Sequence, residues 1–86
     1  MEYSAEYSRA AEKYLDKQTR DVQKRILDAV DGLPNGDVKK LQGRDGYRLT
    51  VGGYRILFDY TDRKTDDGEI IIDILMIGPR GDIYKK

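Results

Sequence analysis

Residues 47–60 read YRLTVGGYRILFDY, and this stretch decides the fold. Apolar and polar side chains alternate on both sides of the glycine pair at 52–53, which is the pattern of two β-strands joined by a tight turn. A two-residue turn fixes the register of the hairpin, so we expect Val51 to pair with Tyr54 and the other pairs to follow outward from them.

The two faces of this hairpin have different chemistry. The face that we expect to pack on helices carries Tyr47, Leu49, Val51, Tyr54, Ile56 and Phe58. The opposite face presents Arg48, Thr50, Arg55 and Leu57. Because strand side chains alternate between the two faces, the same register that forms the core also brings two arginines together outside it.

Two amphipathic helices precede the hairpin. Apolar residues recur at helical spacing over 7–15 and again over 22–33. Thr19 is a candidate N-cap of the second helix. Gly32, expected in the left-handed conformation, and Pro34 form its stop signal.

The C-terminal third predicts a further strand. Residues 69–77 are almost continuously aliphatic, as in an interior strand, and residues 61–68 read as an acidic polar loop. Residues 1–4 are a candidate short edge strand. We therefore predict an α+β fold for residues 1–86 as a single domain, with an N-terminal helical hairpin packed on a small twisted, mostly antiparallel sheet.

Composition limits the chemistry that this chain can perform. Its 86 residues contain no Cys and no His, which excludes thiol nucleophiles, zinc–thiolate sites and Ser–His catalysis. We expect no metal site and no small-molecule cofactor. The longest aliphatic runs are far shorter than a membrane span, and residues 1–10 are polar and unlike a signal peptide, so we expect a cytoplasmic protein without a membrane partner.

Arginines near a tyrosine form the first candidate site. Arg48 and Arg55 share the polar hairpin face, and Arg80 and Tyr84 follow the last strand. Guanidinium groups bind phosphate oxygens in a bidentate manner and stay charged, and a phenol can stack on a base. This set suits an RNA phosphodiester.

The alternative interpretation is that these arginines are ordinary surface residues paired with Asp59 or Asp73. A second cationic group, Lys39, Lys40 and Arg44, reads either as a phosphate-facing patch or as a solvated connector. The acidic stretch 59–69 lacks the ligand spacing of an EF-hand calcium loop and reads as a solvated loop.

Four segments in this order resemble the RelE/ParE toxin superfamily. They are KLQG at 40–43, YRL at 47–49, GYRILF at 53–58 and IGPRGDIYK at 77–85. The resemblance covers the chain from Tyr3 onward.

That resemblance implies a microbial-ribonuclease-like fold and a toxin held inactive by a cognate antitoxin. Members of the RelE branch enter the ribosomal A site and cleave mRNA there, when the 2′-OH of the RNA attacks the adjacent phosphate. Two alternatives stay open: a ParE-like poison of DNA gyrase, and a weakly active or inactive member that acts mainly by binding its antitoxin.

The resemblance also implies roles for individual residues. The arginine that grips the scissile phosphate corresponds to Arg55, and the arginine that assists the leaving group corresponds to Arg80. Tyr84 corresponds to the tyrosine that orients the substrate nucleotide, and Arg48 to the first of two basic strand residues. Apart from the resemblance, weaker contacts to RNA phosphates are expected from Lys39, Lys40, Arg44, Thr50, Lys85 and Lys86.

The chain departs from the RelE pattern at two positions. Thr50 stands where well-studied members have a lysine that helps proton transfer, and Pro79 stands where many relatives have histidine. The isoelectric point near 6.2 is also lower than that of strongly basic toxins.

Overall fold

The computed structural model describes residues 3–79, which form two helices and one five-stranded sheet. In chain order the elements are β1 (Tyr3–Tyr7), α1 (Arg9–Asp16), α2 (Arg20–Asp31), β2 (Asp37–Lys40), β3 (Tyr47–Val51), β4 (Tyr54–Lys64) and β5 (Ile70–Pro79). The strand order is β1-β5-β4-β3-β2, with β1 parallel to β5 and every other neighbouring pair antiparallel. The predicted α+β class is confirmed.

The β3–β4 hairpin has the predicted register. Val51 pairs with Tyr54, and the ladder continues outward to Tyr47 opposite Phe58. Gly52 has a φ of +56°, in the left-handed region that the tight turn requires. β4 is the central strand of the sheet. The register of this hairpin therefore decides which side chains of the central strand lie on each face.

Both helices begin at capped residues. The Ser8 hydroxyl accepts a hydrogen bond from the Ala11 amide and donates one to the Leu75 carbonyl, which ties the start of α1 to β5. The Thr19 hydroxyl accepts from the Val22 amide, so the predicted cap of α2 is confirmed. Gly32 follows the last residue of α2, as predicted, but its φ is −83° and therefore not left-handed. Its amide donates to carbonyls of the preceding turn from this conformation.

The helices cover one face of the sheet. Side chains from both helices, from the turn after α2 and from β3, β4 and β5 form one buried cluster: Ala11, Leu15, Ile26, Val30, Leu33, Leu49, Ile56, Phe58, Ile72, Ile74 and Ile77. Six tyrosines pack at its margin: Tyr3, Tyr7, Tyr14, Tyr47, Tyr54 and Tyr60. The ring centroid of Tyr60 lies 5.2 to 5.8 Å from the centroids of three other aromatic rings.

β5 extends to Pro79, two residues beyond the predicted strand end at residue 77, because Gly78 and Pro79 pair with Arg55 and Tyr54. Two other strand boundaries also differ from the sequence prediction. Tyr7 belongs to β1, where it pairs with Ile74, and not to the first helix. Residues 61–64 belong to β4 and not to the acidic loop, because Lys64 pairs with Ile70 and the chain turns only after them. In both cases pairing with β5 supplies backbone hydrogen bonds that local sequence patterns do not reveal.

The segment containing Lys39 and Lys40 also differs from the connector interpretation. These residues lie in β2, the edge strand that pairs with β3. Residue 38 is the one apolar residue of β2, and it packs at the margin of the core. A four-residue strand with a single inward apolar side chain leaves almost no alternation to detect in the sequence.

Glycine 46 provides a test of the loop that joins β2 to β3. Its φ is +113°, and a Cβ there would lie 3.3 Å from the Phe58 carbonyl oxygen. We expect Gly46→Ala to lower the free energy of unfolding by about 1–3 kcal/mol in a urea titration. Gly53→Ala is the matched control, because a Cβ at Gly53 meets no atom within 4 Å. Equal stability of the two variants would contradict this explanation.

Tyr7 predicts a specific alkaline destabilisation. Burial, and secondarily the charge of Asp31, raise the pKa of Tyr7 from 10.0 to about 12. Because the folded state favours the protonated phenol, Tyr7 contributes to the free energy of unfolding. This contribution is complete below pH 10 and is lost as the pH rises toward 12. The thermal unfolding midpoint of the wild type should therefore fall more steeply than that of Tyr7→Phe between these pH values. Parallel profiles would show that Tyr7 titrates normally.

Candidate functional site

The sheet face opposite the helices carries the predicted hairpin residues together. Thr50 pairs directly with Arg55, and Arg48 lies two residues earlier on β3, so all three occupy this face. Arg55 pairs on its other side with Gly78 of β5, which has no side chain. The register therefore places Arg48 and Arg55 diagonally across two neighbouring strands.

Both arginines lie close against the sheet. Each residue is half-buried, and the Nε atoms of Arg48 and Arg55 are buried. Between them on the same face, Leu57 pairs with Arg48 and is only 2% exposed, although it does not belong to the helix-side cluster. Aliphatic stems of arginine pack well on such a surface while the charged end stays accessible. Burial of the Nε atoms shows that both guanidinium groups lie against the protein.

Acidic side chains are concentrated at the other end of this face. Arg63 donates to Asp73 at 2.8 Å and to Glu6 at 3.2 Å. The hydrogen bond to Glu6, its charge and the charge of Asp73 raise the pKa of Arg63. The Asp59 carboxylate accepts from the backbone amide of Tyr60. Asp73, one of the two acids considered as partners for the candidate arginines, is thus engaged by Arg63.

A basic depression lies beside Arg48 at the β2 edge. Its volume is about 550 Å³, and it is lined by Lys39, Lys40, Leu41, Gln42, Arg44 and Arg48. Lys39 pairs directly with Arg48 across β2 and β3. The second cationic group of the sequence therefore adjoins the first.

Four predicted site residues, Arg80, Tyr84, Lys85 and Lys86, lie outside the described residues. β5 is described to Pro79, which pairs with Tyr54 next to Arg55. The convergence of Arg80 and Tyr84 with the hairpin arginines stays a prediction.

The described part of the site offers cations and no metal ligands. Within residues 3–79 no group of three or more acidic side chains is arranged to hold a metal ion. Two positioned guanidiniums beside a hydroxyl can bind a phosphate and stabilise negative charge that develops on it.

Sequence reasoning missed two features of this face. The direct pairing of Lys39 with Arg48 was not foreseen because β2 itself was not, and its weak signal is the polar–apolar–polar sequence at 37–39. The ion pairs of Arg63 with Glu6 and Asp73 join three separate strands, so no local motif indicates them.

Comparisons with known proteins identify the family. The family model described as the ParE toxin of type II toxin–antitoxin systems matches residues 5–84. The fold and this match define a toxin of the RelE/ParE superfamily. The chain belongs to the ParE toxin family of type II toxin–antitoxin systems.

A solved structure supports the same superfamily. The chain resembles a chain of the crystal structure of the archaeal RelE–RelB complex from Pyrococcus horikoshii OT3, with 28% identity and a TM-score of 0.65. The match covers 94% of this chain and 98% of that chain. No curated protein sequence matches. Neither of the helices in the described range is long and apolar enough to cross a membrane.

Proposed function

We propose that this toxin is a ribosome-dependent endoribonuclease that cleaves mRNA in the A site. The observation that carries the proposal is the placement of Arg48, Thr50 and Arg55 on the sheet face opposite the helices, with the Nε atoms of both arginines buried. The similarity to the RelE–RelB structure supports the RelE branch. Its site of action is the cytoplasm.

The proposed reaction needs no group from outside the RNA as nucleophile. The 2′-OH attacks the adjacent phosphorus, the bond from phosphorus to the 5′ oxygen breaks, and a 2′,3′-cyclic phosphate and a 5′-OH result. Arg55 binds the non-bridging oxygens, and Arg48 adds a second positive charge as negative charge develops. Arg48 is not assigned as the base, because a guanidinium stays protonated.

The family resemblance supplies the remaining roles in this proposal. Arg80 assists the departing 5′ oxygen, and Tyr84 stacks on the substrate nucleotide. Binding on the ribosome holds the 2′-OH in line with the phosphate, and such positioning accounts for much of the rate.

A cognate antitoxin is the proposed protein partner. The RelE–RelB complex shows such an assembly for the similar archaeal protein. We propose that acidic residues of the antitoxin meet Arg48, Arg55 and Arg80, which would neutralise the site directly.

One observation favours a second function. The matching family model is that of ParE toxins, which supports action as a poison of DNA gyrase without RNA chemistry. Thr50 in place of the RelE lysine favours a third possibility, a weakly active member that acts mainly by binding its antitoxin.

Loss of one arginine tests the ribonuclease. In cells that express the toxin, mRNA 5′ ends should accumulate at consistent codon positions within translated regions. Arg55→Ala should reduce this cleavage about 10²–10³-fold, because one donor to the developing charge is lost. Arg20→Ala, an exposed arginine at the start of α2, is the matched control and should cleave like the wild type.

Three results would contradict the proposed reaction. Growth arrest with intact mRNA and trapped gyrase–DNA complexes would establish the gyrase function. Neither cleavage nor arrest would favour the antitoxin-binding member. Cleavage retained in Arg55→Ala would show that the described face is not the active site.

Introducing a lysine at residue 50, where RelE proteins have one, tests the proposed mechanism by a gain of activity. Thr50 lies between Asp37 on β2 and Arg55 on β4, so a lysine there would reach the phosphate beside Arg55. We expect Thr50→Lys to increase the cleavage rate about 10-fold or more, as proton-transfer groups commonly do. Thr50→Gln is the uncharged control. An equal or lower rate in Thr50→Lys would argue against a RelE-type proton transfer.

A further inference from the structure

The basic depression at the β2 edge, here called the edge pocket, is lined by four cationic side chains from two strands and the loop between them. They are Lys39 and Lys40 of β2, Arg44 of the β2–β3 loop and Arg48 of β3. Among the described residues that line it there is no carboxylate, and the one apolar side chain is Leu41. A surface with this composition attracts anions.

The pairing of β2 with β3 places like charges side by side. Lys39 and Arg48 are direct cross-strand partners, which brings their Cβ atoms to about 5 Å. Like charges that face each other in this way oppose strand pairing, and a bound anion between them would reverse that effect. The geometry of the sheet thus places two cationic side chains side by side, where one anion could contact both.

The wall of the edge pocket is held in place by the loop backbone. The amide of Leu41 donates to the carbonyl of Gly46 at 3.0 Å, which closes the loop behind β2. Gly43 and Gly46 adopt positive φ values of 74° and 113°, so the loop takes a conformation that other residues rarely adopt. Arg44 therefore projects from a defined turn.

The edge pocket continues the arginine pair of the candidate site. Arg48 lines the pocket and is also the diagonal neighbour of Arg55. Neighbouring strands lie about 4.8 Å apart, so Lys39 on β2 is two strand spacings, about 10 Å, from β4. Lys39 and Arg48 form one cross-strand pair, and Arg55 lies diagonally from Arg48 on the next strand, so the three cations follow a diagonal across the sheet that a phosphate backbone could follow.

We infer that the edge pocket binds a backbone phosphate of single-stranded RNA next to the phosphate held at Arg55. This inference rests on the proposed function, because it assigns a second contact to the same substrate. Contacts of this kind recognise the backbone and not the bases. The pocket therefore increases the affinity for RNA and fixes the position of the RNA strand on the protein, without adding sequence preference. An acidic protein segment is the less favoured occupant, since protein interfaces depend on apolar and aromatic anchors and, of the described residues, the lining offers Leu41 alone.

The test measures RNA binding without cleavage. The probe is a fluorescein-labelled RNA of about 12 nucleotides with 2′-O-methyl groups throughout, which removes the attacking hydroxyl. Binding to the full chain is followed by fluorescence anisotropy from about 50 to about 300 mM salt. Each phosphate contact contributes about −0.7 to the slope of log affinity against log salt for a single strand.

A double variant of the edge pocket is compared with a charge-matched control. Lys39→Gln with Arg44→Gln should make the slope about 0.7 less steep, and should weaken binding several-fold at the low-salt end. Lys13→Gln with Arg20→Gln removes one lysine and one arginine from exposed helix positions and should keep the wild-type slope. Thermal unfolding of both variants checks that the fold is retained, and Arg44→Gln alone provides a single change in an exposed loop.

Three outcomes would overturn the inference. They are an unchanged slope in the pocket variants, an equal change in the helix control, and no binding of the RNA by the wild type. A polyglutamate peptide whose binding depends on the pocket, while RNA binding does not, would assign the pocket to an acidic protein segment. The proposed function is judged separately by mRNA cleavage in cells, so pocket-dependent RNA binding without such cleavage would overturn the ribonuclease and not the pocket.

Discussion

The register of the β3–β4 hairpin is the constraint on which the rest of the structure depends. The tight turn at Gly52 and Gly53 leaves the two strands one way to pair, and every side chain on both is thereby assigned to a face. Leu49, Ile56 and their neighbours form the floor on which the helices pack. A shift by one residue would bury Arg48 and Arg55 and expose the core, so stability and the charged face have a common origin.

The division of the sheet into two faces explains how so small a chain can have both a core and a binding surface. The helices and six tyrosines pack on the apolar face, and the candidate arginines lie on the other face. On that face the ion pairs of Arg63 are also separated from the candidate arginines, although Asp37 of β2 lies opposite Thr50. Arg63 and its acidic partners lie on β4, β5 and β1, whereas Arg48 and the lysines of β2 lie toward the opposite edge. Neutral net charge thus coexists with a locally cationic region.

Local interactions were predictable from the sequence, and interactions between distant strands were not. The hairpin register and the Thr19 cap depend on neighbouring residues, so their signals lie within a short window. The assignment of Tyr7 to β1 and the extension of β4 to Lys64 depend on β5, which is far along the chain. For the same reason the sequence predicted that Arg48 pairs with β4, the strand that carries Arg55. It did not predict the pairing of Lys39 with Arg48, because β2 itself was not predicted.

The two lysines of β2 have a consequence for the behaviour of the protein in concentrated solution. β2 is an edge strand, and an uncovered edge is a template for pairing with another copy of the same chain. Two copies that paired in parallel and in register through this edge would bring Lys39 and Lys40 of each against those of the other, and the repulsion would oppose that pairing. The charges that suit this edge to a polyanion therefore also help to keep a free toxin dispersed.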